Sequence, residues 1–273
     1  MSNFSFYRNE NNATIQVGLN EFFKDYSVDE KVMIVVPHDD DLTIGAGMML
    51  MACSQKNIPI VAVITTDGSM GYCTADQKSD IIQIRKNETE ASITSLGLKN
   101  FTIEWCNYPD CDLPNHKGRR ESLNQGKEAN AGYTGLQNTY TALLRKHNPT
   151  RVFVSTGEDY HPDHKTVYEE LLISIFHSGG DIWPELGEPL KVLPHLYEMA
   201  IYCDFPEKPN LLLKATQSEF QKKLESIYAY QSQRQIKTVV DSIEKNGPYE
   251  LFREISFKLY QPKEYLSQFD IKD

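Results

Sequence analysis

The sequence predicts an α/β protein, a mostly parallel sheet with helices on both faces. Two observations carry that expectation. Short apolar runs alternate with segments whose apolar residues recur at helical spacing. The unusual polar residues fall just behind the apolar runs, where open parallel sheets place their ligands.

Val32–Val36 is apolar at every position, as expected of a strand buried on both faces. Thr43–Lys56 then reads as a helix with Thr43 as a candidate cap. Ile60–Thr65 is a second strand, Ile81–Leu96 a second helix and Phe101–Trp105 a third strand. Leu136, Tyr140, Leu143 and Leu144 keep helical spacing, and Asn148-Pro149 stops that helix. Arg151–Ser155 is a fourth strand, and a helix should run from near His164 to about His177. Beyond Asp181 the pattern weakens. Lys191–Cys203 has room for one or two strands, and Phe220, Leu224, Ile227 and Tyr228 fit an amphipathic helix. The segment Asn107–Gly135 is long and aperiodic, as functional or disordered loops are. No linker-like composition divides the chain, so residues 1–273 are expected to form one domain.

The chain's 273 residues suffice for a sizeable core, and its formal charge of −10 argues against nucleic acid or an anionic membrane as partner. Five cysteines, an odd number with no C-x-x-C pair, read as reduced thiols and not as a disulfide framework or a cysteine zinc site. The N-terminus lacks the apolar core of a signal peptide, and no window approaches the ~20 apolar residues of a membrane span. A cytoplasmic protein is expected, and a homo-oligomer is compatible with the sequence.

Chemistry concentrates in two stretches. V-V-P-H-D-D-D-L-T-I-G, Val35–Gly45, sets His38 and three successive aspartates at the end of a buried strand. Neighbouring carboxylates repel and resist leaving water, so a cation, a basic partner or solvent must compensate them. H-P-D-H, His161–His164, follows the fourth strand. Imidazole nitrogen and carboxylate oxygen are the usual ligands of catalytic zinc, and both His38/Asp41 and His161/His164 have i, i+3 spacing. Each stretch alone has a plainer reading: aspartates capping a helix after the strand, and a helix start with Pro162 in its first turn. Their joint occurrence behind two strands favours the metal.

Together they resemble the PIG-L (LmbE-like) zinc-dependent N-deacetylases, whose motifs usually read A-H-P-D-D-E and H-P-D-H. T-D-G-S-M-G (Thr66–Gly71), R-K-N-E-T-E-A-S-I-T-S-L-G (Arg85–Gly97), Y-P-D (Tyr108–Asp110) and K-L-E-S-I-Y-A-Y-Q-S-Q (Lys223–Gln233) are similar to further family segments, the last with Tyr230 where histidine is usual. The resemblance covers about residues 30–255 and implies a Rossmann-like fold. It implies His38, Asp41 and His164 as zinc ligands and Asp40 as the general base that deprotonates the attacking water. It implies His161 as the charged partner of the oxyanion, oriented by Asp163 and raised in pKa by it. It also implies that Arg85, and with less support Asp110, hold substrate. The sequence departs from the family pattern at Asp39, where proline is usual, and at Leu42, where glutamate is usual. Asp39 is expected to be solvated. Tyr230 is expected to pack in the core, and His116, Arg119 and Arg120 to lie in a solvated loop.

The implied reaction is removal of acetyl from an N-acetylglucosamine-type sugar or glycoside. Zn²⁺ is the expected cofactor, and Fe²⁺ or another divalent transition metal is an accepted substitute, because geometry and availability decide loading. Two other classes stay open: a non-catalytic sugar-binding or regulatory protein on the same fold, and a metal phosphoesterase, which would need two metals.

Overall fold

The computed structural model describes residues 3–122, 129–256 and 260–269. In chain order its strands are β1 (Phe4–Glu10), β2 (Ala13–Val17), β3 (Val32–Val36), β4 (Ile60–Thr66), β5 (Phe101–Tyr108), β6 (Arg120–Glu121), β7 (Tyr133–Thr134), β8 (Arg151–Ser155), β9 (His195–Met199), β10 (Leu211–Ala215) and β11 (Tyr249–Ile255). The α-helices are α1 (Leu19–Phe22), α2 (Asp41–Gln55), α3 (Ile81–Leu96), α4 (Leu136–His147), α5 (Pro162–Ser178), α6 (Gln217–Tyr228) and α7 (Ile236–Asn246). Among the described residues no helix is long and apolar enough to cross a membrane.

One nine-stranded sheet runs β2-β1-β10-β11-β9-β8-β3-β4-β5. The five strands from β9 to β5 pair in parallel, and the other four extend the sheet antiparallel. The α/β class and the parallel strands stand as read; the antiparallel extension is additional. Its β1–β2 hairpin lies outside the span that carries the resemblance.

The parallel strands are apolar throughout because both faces are covered. Val32, Ile34 and Val36 join the cluster that includes Met48, Met49, Phe220 and Leu224, while Met33 and Val35 join Leu144, Val167 and Leu171 on the other face. α2 is buried from Asp41 to Ser54, so it shows no polar face. The chain leaves β3 toward β4 and β5, then returns to place β8 on the other side of β3. The strand order therefore reverses between β3 and β8, the position where ligands bind such sheets.

Several boundaries differ from the sequence reading. α2 starts at Asp41 with Asp40 as cap, not at Thr43, because the Asp40 carbonyl already accepts from Thr43 N at 3.2 Å and Ile44 N at 3.1 Å. α5 starts at Pro162 with His161 as cap. β5 runs on to Tyr108, past a register shift against β4. Lys191–Cys203 supplies one strand, β9. The long segment before α4 holds a 3₁₀ turn, Leu113–His116, and the small β6–β7 pair; residues 123–128 lie outside the described residues. Arg119 is not simply solvated: its guanidinium lies 3.5 Å from the centroid of the Tyr133 ring and 4.6 Å from that of Trp183.

Buried Arg145, at the end of α4, donates to the carbonyls of His177, Ser178, Gly180, Trp183 and Gly187, tying down the chain that leaves α5. Arg145→Met removes the donor from five carbonyls, four of them only part-buried and open to water, so it should cost about 1–3 kcal/mol, read as a lower urea midpoint.

Candidate metal centre

The loops behind β3 and β8 face each other across the crevice. From the first come His38 to Asp41; from the second, Asp159 and the start of α5. Asp41 Oδ2 is the hub. It lies 3.2 Å from His38 Nδ1 and 3.2 Å from His164 Nε2, and it accepts from His38 N at 3.0 Å. Both remaining imidazole nitrogens face carboxylates. His38 Nε2 is 3.2 Å from Asp110 Oδ1 and 3.5 Å from Asp163 Oδ2, and His164 Nδ1 is 3.3 Å from Asp159 Oδ2. Metal-binding histidines are commonly braced in this way.

Unpaired atoms at the centre of the site call for a cation. His164 and Asp41 are fully buried, yet Asp41 Oδ1 and both His164 nitrogens have no aligned hydrogen-bond partner. Such atoms are costly to bury alone. His38, Asp41 and His164 could hold a divalent ion, which would engage Asp41 and one His164 nitrogen while the other faces Asp159, and a set of two nitrogens and one oxygen suits zinc or its neighbours. Around them Asp39, Asp40, Asp110, Asp159 and Asp163 leave the surroundings rich in negative charge, and Arg85 is fixed against two of these carboxylates, Asp39 and Asp40.

The same carboxylates set the protonation of the metal-free site. Burial pushes the Asp41 carboxyl up, but the His164 and His38 imidazoles reverse this and hold it well below the usual carboxylate range. Burial pulls His164 down, and Asp41 and Asp159 outweigh it, lifting the imidazole to about 9. His38 is likewise pulled down by burial and lifted well above its ordinary value by Asp110, Asp163 and Asp41. A histidine whose folded pKa exceeds its unfolded value of ~6.5 stabilises the fold fully below that value and loses the contribution as pH rises. For His164 the loss is complete beyond about 9. Metal-free protein should therefore melt at progressively lower temperature across that window, and metal uptake should release protons there. Thermal melts of chelator-treated protein at stepped pH check the first, and metal titration in weak buffer with a pH indicator the second.

Asp40 and Asp39 are buried beside this cluster. Arg85, from α3, donates through Nη2 to Asp39 Oδ1 and, at 2.9 Å, to Asp40 Oδ1. Thr89 Oγ1 donates to Asp39 Oδ2 at 2.9 Å, and Tyr230 Oη donates to the Asp39 carbonyl at 2.9 Å. Asp39 is thus not solvated: it is 2% exposed, because α3 and the Tyr230 segment cover it. Arg85 makes no solvated pair with Glu88, which instead accepts from Ser232 N and Oγ. Its Nη2 holds carboxylates rather than standing free for substrate. Asp110 is engaged too, accepting Met70 N at 3.0 Å on Oδ2. Tyr230 packs in the core as expected, and its hydroxyl also braces the site.

His161 and Asp163 do not meet as the resemblance implies. The Asp163 carboxylate accepts Cys111 N at 2.8 Å and Leu113 N at 3.2 Å, so it anchors the loop behind β5. Its backbone N–H donates to His161 Nδ1 at 3.2 Å, closing the cap of α5. Burial, and then the neighbouring His38 and His164, lower the His161 pKa; Asp163 opposes this without reversing it. Neutral His161 with an accepting Nδ1 carries its proton on Nε2. Leu42, where the family has an acid, is buried in the core.

A cavity of about 370 Å³ opens over these residues, walled by His38, Asp40, Arg85, Asp110 and His161 and rimmed by Tyr72, Tyr202 and Gln233. Sequence reasoning missed Asp159 and Tyr202. Asp159 lies two residues before H-P-D-H, where its spacing was the available signal; Tyr202 sits in an irregular loop and gave none.

The architecture and this cluster define a class. Residues 33–174 match the PIG-L family, described as GlcNAc-PI de-N-acetylase, and the chain belongs to it. Among its relatives, the diacetylchitobiose deacetylase of Thermococcus kodakarensis is 27% identical over 151 residues, which is 54% of this chain and 48% of that protein. The match thus spans about half of that relative's length. The structure of N,N'-diacetylchitobiose deacetylase from Pyrococcus horikoshii, with an inhibitor, superposes with a TM-score of 0.67 at 26% identity, covering 87% of each chain. GalB, the 4-carboxy-2-hydroxymuconate hydratase of Pseudomonas putida KT2440, shares the fold at a TM-score of 0.62 and 15% identity over 85% of this chain and 98% of its own. Function must therefore be argued from the site.

Proposed function

We propose that this protein is a metal-dependent hydrolase that removes the acetyl group from a small N-acetylated sugar or glycoside of the N-acetylglucosamine type. One observation carries the reading: the buried, incompletely satisfied set His38, Asp41 and His164 beside Asp40 at the wall of an open cavity. Membership of the PIG-L family and similarity to proteins named as diacetylchitobiose deacetylases support the substrate class. The −10 charge favours a mostly neutral ligand over an anionic polymer.

His38, Asp41 and His164 would hold the ion. When bound, zinc polarises an amide carbonyl and lowers the pKa of water toward ~7. Asp40 takes the proton of the attacking water. Arg85 occupies its Oδ1 and fixes its orientation, which leaves Oδ2 for the proton. His161 wall-mounts an Nε2–H donor for the developing oxyanion. Asp159, Asp110 and Asp163 hold the two ligand imidazoles in place. Arg85 thus acts by positioning Asp40, and sugar contacts fall to rim residues such as Tyr202 and Gln233.

A panel of N-acetylated amino sugars and glycosides tests the proposal. Acetate and primary amine should appear in equal amounts from at least one of them and stop on addition of chelator. Binding without acetate from fully metal-loaded protein would instead establish a sugar-binding protein. Phosphate release from an aryl phosphate at a comparable rate would establish a phosphoesterase.

A further inference from the structure

We propose that Gln233 sets substrate specificity: its carboxamide oxygen is a fixed acceptor for one sugar hydroxyl, so the site takes an amino sugar whose hydroxyl at that position is free. The inference rests on the proposed function for the ligand being a sugar. Gln233 and Ser232 are both buried, and Gln233 lines the cavity. Gln233 Nε2 donates to the Gly71 carbonyl at 2.7 Å and to Ser232 Oγ at 3.0 Å. Ser232 Oγ gives its own proton to Glu88 Oε2 at 2.7 Å, so toward Gln233 it only accepts. Two acceptors therefore face the NH₂ end, which fixes the carboxamide against a flip. Both amide protons are then used. Oε1 is left over: among the described residues no group donates to it, and it is not one of the unpaired atoms sealed from solvent. Its open side is the cavity.

The acceptor is rigidly mounted. Gln233 N donates to the Tyr230 carbonyl at 3.1 Å, and the Gln233 carbonyl accepts from Ile236 N at 3.0 Å. Ser232 N donates to Glu88 Oε1 at 2.6 Å, and Tyr230 Oη reaches the Asp39 carbonyl at 2.9 Å. Gln233 is thus tied on one side to α3 and on the other to the loop that carries Asp40 and Asp41. Its oxygen keeps its place relative to the reacting amide. A sugar that expels water from the cavity and brings no hydroxyl to this spot leaves Oε1 dry and unpaired, and such a loss discriminates more strongly than a lost apolar contact. A sugar alkylated or acylated there brings bulk and no donor. The acceptor is neutral, so it works without the titration that a carboxylate would show.

The probes are methyl N-acetyl-β-glucosaminide and its analogues with single ring hydroxyls replaced by hydrogen, or by fluorine, which cannot donate. With zinc-loaded protein, kcat/KM is read where acetate forms and Kd by calorimetry where it does not. At one position both replacements should cost wild-type protein about 10-fold or more. Gln233→Met should lose about as much on the parent sugar and nothing further at that position, while the other positions keep their wild-type penalties. Ser232→Ala frees one amide proton and should give a smaller loss confined to the same hydroxyl, which carries the test if Gln233→Met does not fold. A uniform loss on every probe with the hydroxyl penalty intact would show a structural role only and overturn the proposal. Recovery by the fluorine analogue would make Gln233 a donor and overturn it too, as would failure of every probe to bind. Coupling seen in Kd without acetate would keep the acceptor and overturn the hydrolase reading; acetate without coupling would do the reverse.

Discussion

Asp40→Asn should lower turnover by about 10²- to 10⁴-fold while the metal content stays at the wild-type level. The expectation follows from geometry. Asp40 caps α2 beside Asp41 and lines the cavity, but it is not in the set that meets at Asp41 Oδ2. Asparagine keeps the oxygen that Arg85 holds and removes the basicity. Asp41→Asn behaves in the opposite way. It takes out the hub that faces both His38 and His164, so metal should be lost first and activity as a consequence. His38→Ala and His164→Ala should follow Asp41→Asn. Elemental analysis beside kcat for each variant separates the two classes. If Asp40→Asn lost metal and Asp41→Asn kept it, the roles of the neighbours would be exchanged.

What the sequence made legible was what is fixed locally. Val32–Val36 shows as a strand because both its faces are buried, and the polar residues behind it stand out against that run. His38, Asp41 and His164 could be named as candidate ligands because two contiguous motifs, both behind strands, carry the resemblance that implies them. The antiparallel half was not legible. β2 is exposed along nearly its whole length, and β1 finds its partner at a distance, with Phe4 opposite Ala215 and Arg8 opposite Leu211. No local pattern encodes such pairing. The fate of Asp39 was hidden for the same reason, since its partners Arg85 and Thr89 lie 46 and 50 residues further along the chain. The orientation of Asp163 turned on a choice between a side-chain and a backbone contact to His161, and spacing alone does not distinguish them.

Arg85→Met should be among the most destabilising single changes in this protein, at about 3–5 kcal/mol, because it strands two adjacent buried carboxylates without their cation. Arg85 is 4% exposed, Asp39 2% and Asp40 6%, so water does not replace the lost guanidinium. Asp39→Asn should cost far less. Burial raises the Asp39 pKa, the Asp40 charge adds to this, and Arg85 only partly offsets them, so the ionised carboxylate is already unfavourable there. The double variant should recover part of the Arg85→Met loss, a coupling of about 1 kcal/mol or more between residues in contact. The pH dependence has a definite sign. A carboxyl whose folded pKa is raised favours the fold most below its unfolded value and least once pH passes the folded one. Without Arg85 that folded value rises further, so Arg85→Met should regain stability relative to wild type as pH falls from neutral. Asp39→Asn in the same background should flatten that regain. Urea midpoints for the four proteins at stepped pH decide it. A wild-type-like midpoint for Arg85→Met, or a double variant no better than the single, would mean that the guanidinium is dispensable to these carboxylates and available to substrate after all.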